Sequence, residues 1–534
     1  MRCDWSSFEN RPTATAGRLK KVPFPGIAIK GEKKIMRNRS ILLVFCFALL
    51  AALPLHAQTN SGVNNAELTG NYAFSFNGHT TGGVGASTVF AAVGRFNADG
   101  AGNLINGELD SNGAGPQERL TAQAFTGTYS LGPDHRGVMN LNIPGGGTLA
   151  FAMTANGNAQ FVEADASADH GTVGSGSIEK ADTTAFSTAN VVGDYAFGLA
   201  GLDGFNSRSA MAGRISANGA GILTNGLADA NQSGRFTSAA MIPMGHYIVS
   251  DAATGRGSLV LTPAIGTALP NMNFVFYMVN SAKLFVMEID AVTVATPLLN
   301  GVFLQQQTPV GGFSNTALNG SMVMYLTGRA LCGPGGSAAS NVIAGLFTSN
   351  GLGATSLTYD ENCGGTPTST SLAGTYAITP NGRVGMQLGG NYVAAYMVST
   401  NQAVFIVPDS SALFGFGEPQ SAGALSNAAV NGRYSVSATT PAALAVNIFS
   451  GEFIADGASP TGTLSGAEDI GAPSGPTWGA SASSTYAITS APTNGRGTMS
   501  GNINGIGVLY VISPVRFVAI SLTDANPAVL LFEQ

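Results

Sequence analysis

The sequence predicts an all-β chain built as a tandem array of four small antiparallel barrels, each up-and-down and about eight-stranded. Three observations predict it. One hairpin, 93–113 (VGRFNADGAGNLINGELDSNG), recurs from Ala212, Ala344 and Ser450. Glycine, 72 of 534 residues, falls at turn positions between short apolar runs, which is the signature of strands and turns. Alternation of period two is direct in the first run, where Tyr72, Phe74 and Phe76 share one face and Asn71, Ala73 and Ser75 the other. Helical signals are almost absent after residue 57.

The amino-terminal stretch stands outside this pattern. Residues 36–57 read as a secretory signal peptide: Arg37 and Arg39 precede an apolar run from Ile41 to Leu55, with cleavage expected near Ala57. Residues 1–35 are basic, rich in Gly and Pro and without period, as expected of a start assigned too early, with Met36 the true first residue; a leader is the alternative. The run is short for a membrane span, and the remaining chain is expected to carry none.

Each repeat opens with Gly-x-aromatic or its remnant, at Gly70, Gly193, Gly320 and Gly432, spaced 123, 127 and 112 residues apart. That spacing is of domain size and gives β-domains at 67–182, 190–307, 316–421 and 427–534. After the hairpin come Asp110/Asn112, Asp229/Asn231, Asp360/Asn362, and Asp469 without the Asn. A second aromatic strand follows, around Tyr129, Tyr247, Tyr376 and Tyr486, and then a turn bearing Arg136, Arg256, Arg383 or Arg496. Two apolar strands complete each core, LAFAMT and QFVEAD in the first copy and FVFYMV and FVMEID in the second. Eight up-and-down strands let the last pair with the first and remove both edges; β-sandwiches are the alternative. Short linkers of small residues predict a string of domains with modest mutual contact.

Composition narrows the function. Residues 1–57 hold 10 of the 24 Lys+Arg and 3 of the 30 Asp+Glu, leaving a formal charge of −13 on the rest. Lys180 and Lys283 are its only lysines. Such a chain has no basic patch for phosphates, so nucleic acid is excluded as a partner. Beyond residue 57 the only cysteines are Cys332 and Cys363, a candidate disulfide in an exported protein. The histidines, His79, His135, His170 and His246, show neither metal spacing nor a partnered nucleophile. No metal, cofactor or catalytic residue is expected.

Three clusters remain as candidate sites. The Asx-Gly turns at Asp99, Asn218, Asn350 and Asp456 are rich in oxygen ligands, but free exchange of Asp for Asn fits a type I′ hairpin better than a calcium loop. Arg136 with Asp165, Arg256 with Asp290, Arg383 with Asp409 and Arg496 with Asp524 recur as structural pairs, expected to close one end of each barrel. Glu163 and Glu288 sit two residues before such an Asp, where the other copies have Val407 and Leu522, so carboxylate chemistry would be confined to two repeats.

The strings Gly70-Asn71-Tyr72-Ala73-Phe74 and 94–102 (GRFNADGAG) resemble those of repetitive, Gly-rich exported β-proteins common in acidobacteria, a group of unknown function. The resemblance implies the fold and export and no catalytic residue. The Gly-x-Tyr openings also resemble the Gly-x-Trp start of lipocalins. Together these readings give an exported, non-enzymatic repeat protein, secreted, periplasmic or at the cell surface, acting as a surface, matrix or adhesion module toward a polysaccharide or protein. Small-ligand binding inside lipocalin-like barrels is the alternative, with Tyr72, Phe74, Phe151, Glu163 and Arg136 at the site. A hydrolase using Glu163 or Glu288 is a third reading.

Overall fold

The computed structural model describes residues 61–534 except 83–87, 116–117, 145, 164–169, 333–335, 424, 440–447, 473–474, 489–493 and 504. The expected signal peptide, its leader and Asp165 lie outside the described residues. Four closed antiparallel barrels of eight strands follow one another, at 69–180, 192–305, 319–419 and 431–533. In each, the eighth strand pairs with the first, so no sheet edge remains.

The inward faces are filled largely by aromatic and aliphatic side chains. In the first barrel Tyr72, Phe74, Phe76, Phe96, Phe151 and Phe161 form one core. Glycines on neighbouring strands admit these rings: a Cβ on Gly94 would lie 2.6 Å from the Phe74 ring, and one on Gly213 would lie 2.3 Å from Phe197. The fourth-strand tyrosines fasten the turn that precedes the first strand. Tyr129 donates to the Leu68 carbonyl at 2.7 Å, and Tyr247, Tyr376 and Tyr486 repeat the bond at Val191, Leu318 and Val430.

The hairpin loops differ from the expected type I′ turn. Asp99 is not in the left-handed region, whereas Gly100 and Gly102 are, with φ of 75° and 109°. The Asp99 Oδ1 accepts the backbone N–H of Ala101 and Asn103, and Asn218, Asn350 and Asp456 each accept two such bonds. This is an Asx turn, which needs one side-chain oxygen acceptor and so takes Asp or Asn equally.

The barrels are not a loose string; they close into a ring. Ala73, Val89, Ala91 and Val93 of barrel 1 pack on Val275, Tyr277, Phe285 and Met287 of barrel 2. Barrel 2 packs likewise on barrel 3 through Ala196, Ala210 and Ala212 against Tyr396, Val404 and Ile406. Val323, Val342 and Ala344 of barrel 3 meet Tyr510, Val518 and Ile520 of barrel 4. Barrel 4 then shares a core with Ala150, Val162 and Val173 of barrel 1. The first and second strands of each barrel thus meet the sixth and seventh of the next, head to tail, until the ring closes.

The recurring arginines hold these junctions, which corrects the pairing expected within each repeat. Arg256 does not pair with Asp290; its Nε and Nη2 donate to both oxygens of Asp110 in barrel 1, each at 2.7 Å. Arg383 grips Asp229 and Arg496 grips Asp360 in the same two-pronged way, rather than Asp409 and Asp524. A tyrosine hydroxyl completes each site: Tyr277 on Asp110, Tyr396 on Asp229 and Tyr510 on Asp360. At the closing junction Arg136 reaches Asp469 at 3.0 Å and is also held by Asp134. Ala152 stands where the other copies have tyrosine.

The Asp-x-Asn spacing has its explanation here too. Asn112 donates to the carbonyls of Glu288 and Asp290, and Asn231 to those of Val407 and Asp409. Asn362 binds those of Ser521 and Asp524. In the fourth copy Gly471 replaces the Asn, and a Cβ there would come within 2.3 Å of the Glu163 carbonyl. Asp290 itself accepts both the backbone and side-chain N–H of Asn273. Cys332 and Cys363 form the expected disulfide, with Cα atoms 5.6 Å apart.

Two outcomes test the ring. Asp360 is 1 % exposed, and Asp360→Ala leaves Arg496 and Tyr510 without their acceptor. This substitution should cost about 3 kcal/mol and raise hydrogen exchange along Ile506–Ser513, whereas Asp99→Ala in an exposed loop should cost under about 1 kcal/mol. The closing junction is also pH-sensitive. Burial, opposed by Arg433, pushes the Glu452 carboxyl up from 4.5 to about 8. The folded ring then keeps a proton that the unfolded chain releases, so stability is lost as pH rises from about 4.5 toward 8. Thermal melts at pH 6 and 8 should show this loss in the native chain and a smaller one in Glu452→Gln.

Candidate binding site in the second barrel

One end of barrel 2 opens into a cavity of about 440 Å³. Its walls are mostly apolar, with Met211, Phe236, Leu269, Met272, Pro297 and Leu299 contributing. Its polar lining residues are Ser209, Asn231, Gln232, Arg235, Thr237 and Glu288, and Glu288 and Ser209 are the ones that face inward without a donor or partner. Glu288 ends the strand Lys283–Glu288, whose Leu284 and Val286 face the barrel core while Phe285 and Met287 face barrel 1. Alternation therefore turns Glu288 inward. Ser209 lies one period before Met211, a core residue, on the strand Arg208–Asn218 and faces the same way.

Both groups are buried, Glu288 to 1 % and Ser209 to 3 % exposure. No donor reaches either carboxyl oxygen of Glu288, which lies beside the Asp290 carboxylate, and the Ser209 hydroxyl has no partner. Three orphaned polar atoms in one apolar cavity are unusual, because a buried polar group without a partner costs about 1–3 kcal/mol. Burial, with the neighbouring Asp290 carboxylate adding to it, raises the Glu288 carboxyl well above its usual range. The shift favours the protonated acid, which can both donate and accept.

At this end barrel 2 differs from barrel 1 by the loss of one ring; barrel 3 has Asn341 at the same position. The position equivalent to Ser209 in barrel 1, three residues before the recurring hairpin, is Phe90, whose ring packs on Phe76 at 5.9 Å. Replacing that ring with a hydroxymethyl opens the end of the barrel. The signal was present when the repeats were aligned, at a position that attracts no attention by residue type.

The residues expected at a ligand site are placed differently. Tyr72, Phe74 and Phe151 are core residues of barrel 1, at 0 %, 5 % and 1 % exposure. Arg136 leaves its own barrel altogether and binds Asp469 of barrel 4, correcting the expectation that it lines a barrel interior. Glu163 is buried on the face shared with Phe161, beside residues outside those described. Among the described residues no group of three or more His, Cys, Asp or Glu could hold a metal ion. In comparisons with known proteins, no family model and no curated protein matches the chain.

Removal of the buried acid tests the geometry. Glu288 protonates in the folded barrel where the unfolded chain, with a carboxyl at 4.5, is ionised. The native chain should thus lose stability as pH rises above 4.5 through that raised value, and Glu288→Gln should flatten this part of the profile in thermal melts from pH 5 to 9.

Proposed function

We propose that the protein is a non-enzymatic binding protein, a rigid ring of barrels that takes a small, largely apolar and uncharged molecule into the end of the second barrel. The observation that carries this reading is the convergence of the Glu288 carboxyl, which no donor reaches, and the unpartnered Ser209 hydroxyl on a largely apolar cavity. A ligand carrying an amide, carbonyl or hydroxyl would satisfy them, while the walls bury its hydrocarbon. The volume suits this class of ligand. Binding is favoured over hydrolysis because Asp290, the second carboxylate of the pair, is committed to both N–H groups of Asn273.

Export is part of the proposal: the signal-like segment 36–57 and the disulfide between Cys332 and Cys363 support an oxidising compartment. A second reading, a surface or adhesion module, draws on an exposed apolar stripe on the outer strands of barrel 2. Ile222, Met241, Met244 and Ile248 are between 44 % and 60 % exposed there.

A neutral fluorescent probe, N-phenyl-1-naphthylamine, tests the cavity. Its emission should rise saturably with the native chain, and Met211→Trp, which fills the cavity, should abolish the rise. Small alcohols and amides should displace the probe, and Glu288→Leu should weaken them by about tenfold, the equivalent of about 1.4 kcal/mol. Probe binding that survives Met211→Trp would place it elsewhere and remove the support for this site.

A further inference from the structure

The four barrels enclose a second cavity, of about 540 Å³, where their first and last strands converge at the centre of the ring. All four contribute walls, among them Val89, Leu202, Phe285, Phe414 and Leu531. Six ionised side chains line it, three of each sign, and five of them form ion pairs. Lys283 pairs with Glu179 at 2.5 Å. Arg516 lies between Glu418 at 3.1 Å and Glu533 at 3.0 Å, and Tyr325 donates to Glu418.

The sixth is Arg208. It is 8 % exposed, and its one hydrogen bond is from Nη2 to the Thr327 hydroxyl of barrel 3, at 3.2 Å. Its Nε has no partner. No carboxylate among the described residues lies within ion-pair distance of it, although each junction arginine has its aspartate. Burial pulls the guanidinium down to about 10, still charged at neutral pH. A buried charge without an ion-pair partner is among the costliest features a fold can retain. The position is also peculiar to this copy: its equivalents in barrels 1 and 3 are Val89 and Ser340.

We propose that the central cavity binds a carboxylate on an apolar body, with the Arg208 guanidinium as its counter-charge and the Thr327 hydroxyl beside it. The planar fork of an arginine matches a carboxylate in two parallel hydrogen bonds. The unpaired guanidinium calls for a carboxylate in direct contact, and the Val89, Leu202, Phe285, Phe414 and Leu531 side chains in a mixed lining leave room for hydrocarbon behind it. This site is separate from the one in barrel 2, whose lining it does not share.

Calorimetric titration of the full chain with octanoate, octanol and inorganic phosphate tests it. With barrel 2 blocked by Met211→Trp, octanoate should bind saturably at one site, with octanol and phosphate each at least tenfold weaker. Arg208→Gln should reduce octanoate binding by tenfold or more, whereas Met211→Trp, which blocks only barrel 2, should leave it unchanged. Equal binding of acid and alcohol by the Met211→Trp chain, in which barrel 2 is blocked, would overturn the proposal, as would octanoate affinity undiminished in a folded Arg208→Gln chain. So would phosphate binding as tightly as octanoate. The acid–alcohol comparison does not use Arg208→Gln, so it decides even if that chain fails to fold, and octanol bound by the native chain but not by Met211→Trp belongs to the barrel 2 site.

Discussion

The structure depends on an aspartate that is buried in one barrel and neutralised only by the next. Asp110, Asp229 and Asp360 each receive both prongs of an arginine and a tyrosine hydroxyl from the following barrel. None of these donors belongs to the barrel that supplies the acid. A head-to-tail contact of this kind either propagates or closes, and in this chain the fourth barrel meets the first. Closure also covers the apolar outer faces of the first, second, sixth and seventh strands, which four separate barrels would expose to water.

The same contact sets the candidate site. Asn112, projecting from barrel 1, ties down the carbonyls of Glu288 and Asp290 in barrel 2. The strand end that carries Glu288 is therefore positioned by its neighbour, and the acid is held inward against the cost of its own burial. A ring junction thus supports a binding group that its own barrel would leave at a frayed strand end. The central cavity is still more dependent on assembly, since it has no wall until all four barrels are in place.

Much of the barrel was legible in the sequence because its causes are local. Tyr72, Phe74 and Phe76 alternate, Gly-containing turns punctuate the strands, and eight runs per unit invite closure. The ring was encoded as well, in runs such as LAFAM and FVFYMV that are apolar at every position. A strand that buries one face alternates; one that buries both does not. Those runs mark the strands that face a core on one side and a neighbouring barrel on the other. The arginine and aspartate of each junction recur in all four repeats, but recurrence names the participants without saying which copy meets which. Arg256 is 34 residues from Asp290 and 146 from Asp110 in sequence, and local reasoning chose the nearer. Ser209 and Arg208 were passed over because a lone serine and a lone arginine acquire meaning only from the cavities around them.

Differences between the copies carry the rest of the argument. Three junctions join barrels that are consecutive in the chain and share one pattern. The closing junction has no covalent link and departs from it: Ala152 replaces the tyrosine, Gly471 replaces the asparagine, and Asp134 adds a second carboxylate to Arg136. Arg433 bridges there to Glu452 and to the Met153 carbonyl. Burial outweighs Arg136 in raising the Asp469 carboxyl, while Asp360 at a consecutive junction is lowered. The ring is therefore most sensitive to conditions where it closes. The exchanges of Phe90 for Ser209 and of Val89 for Arg208 fall on adjacent residues of a single strand in barrel 2, one facing inward and one toward the ring centre. Barrel 3 also has buried polar side chains at both positions, Ser340 and Asn341, so what sets barrel 2 apart is the charge of Arg208 at the ring centre and the cavity that Ser209 enters.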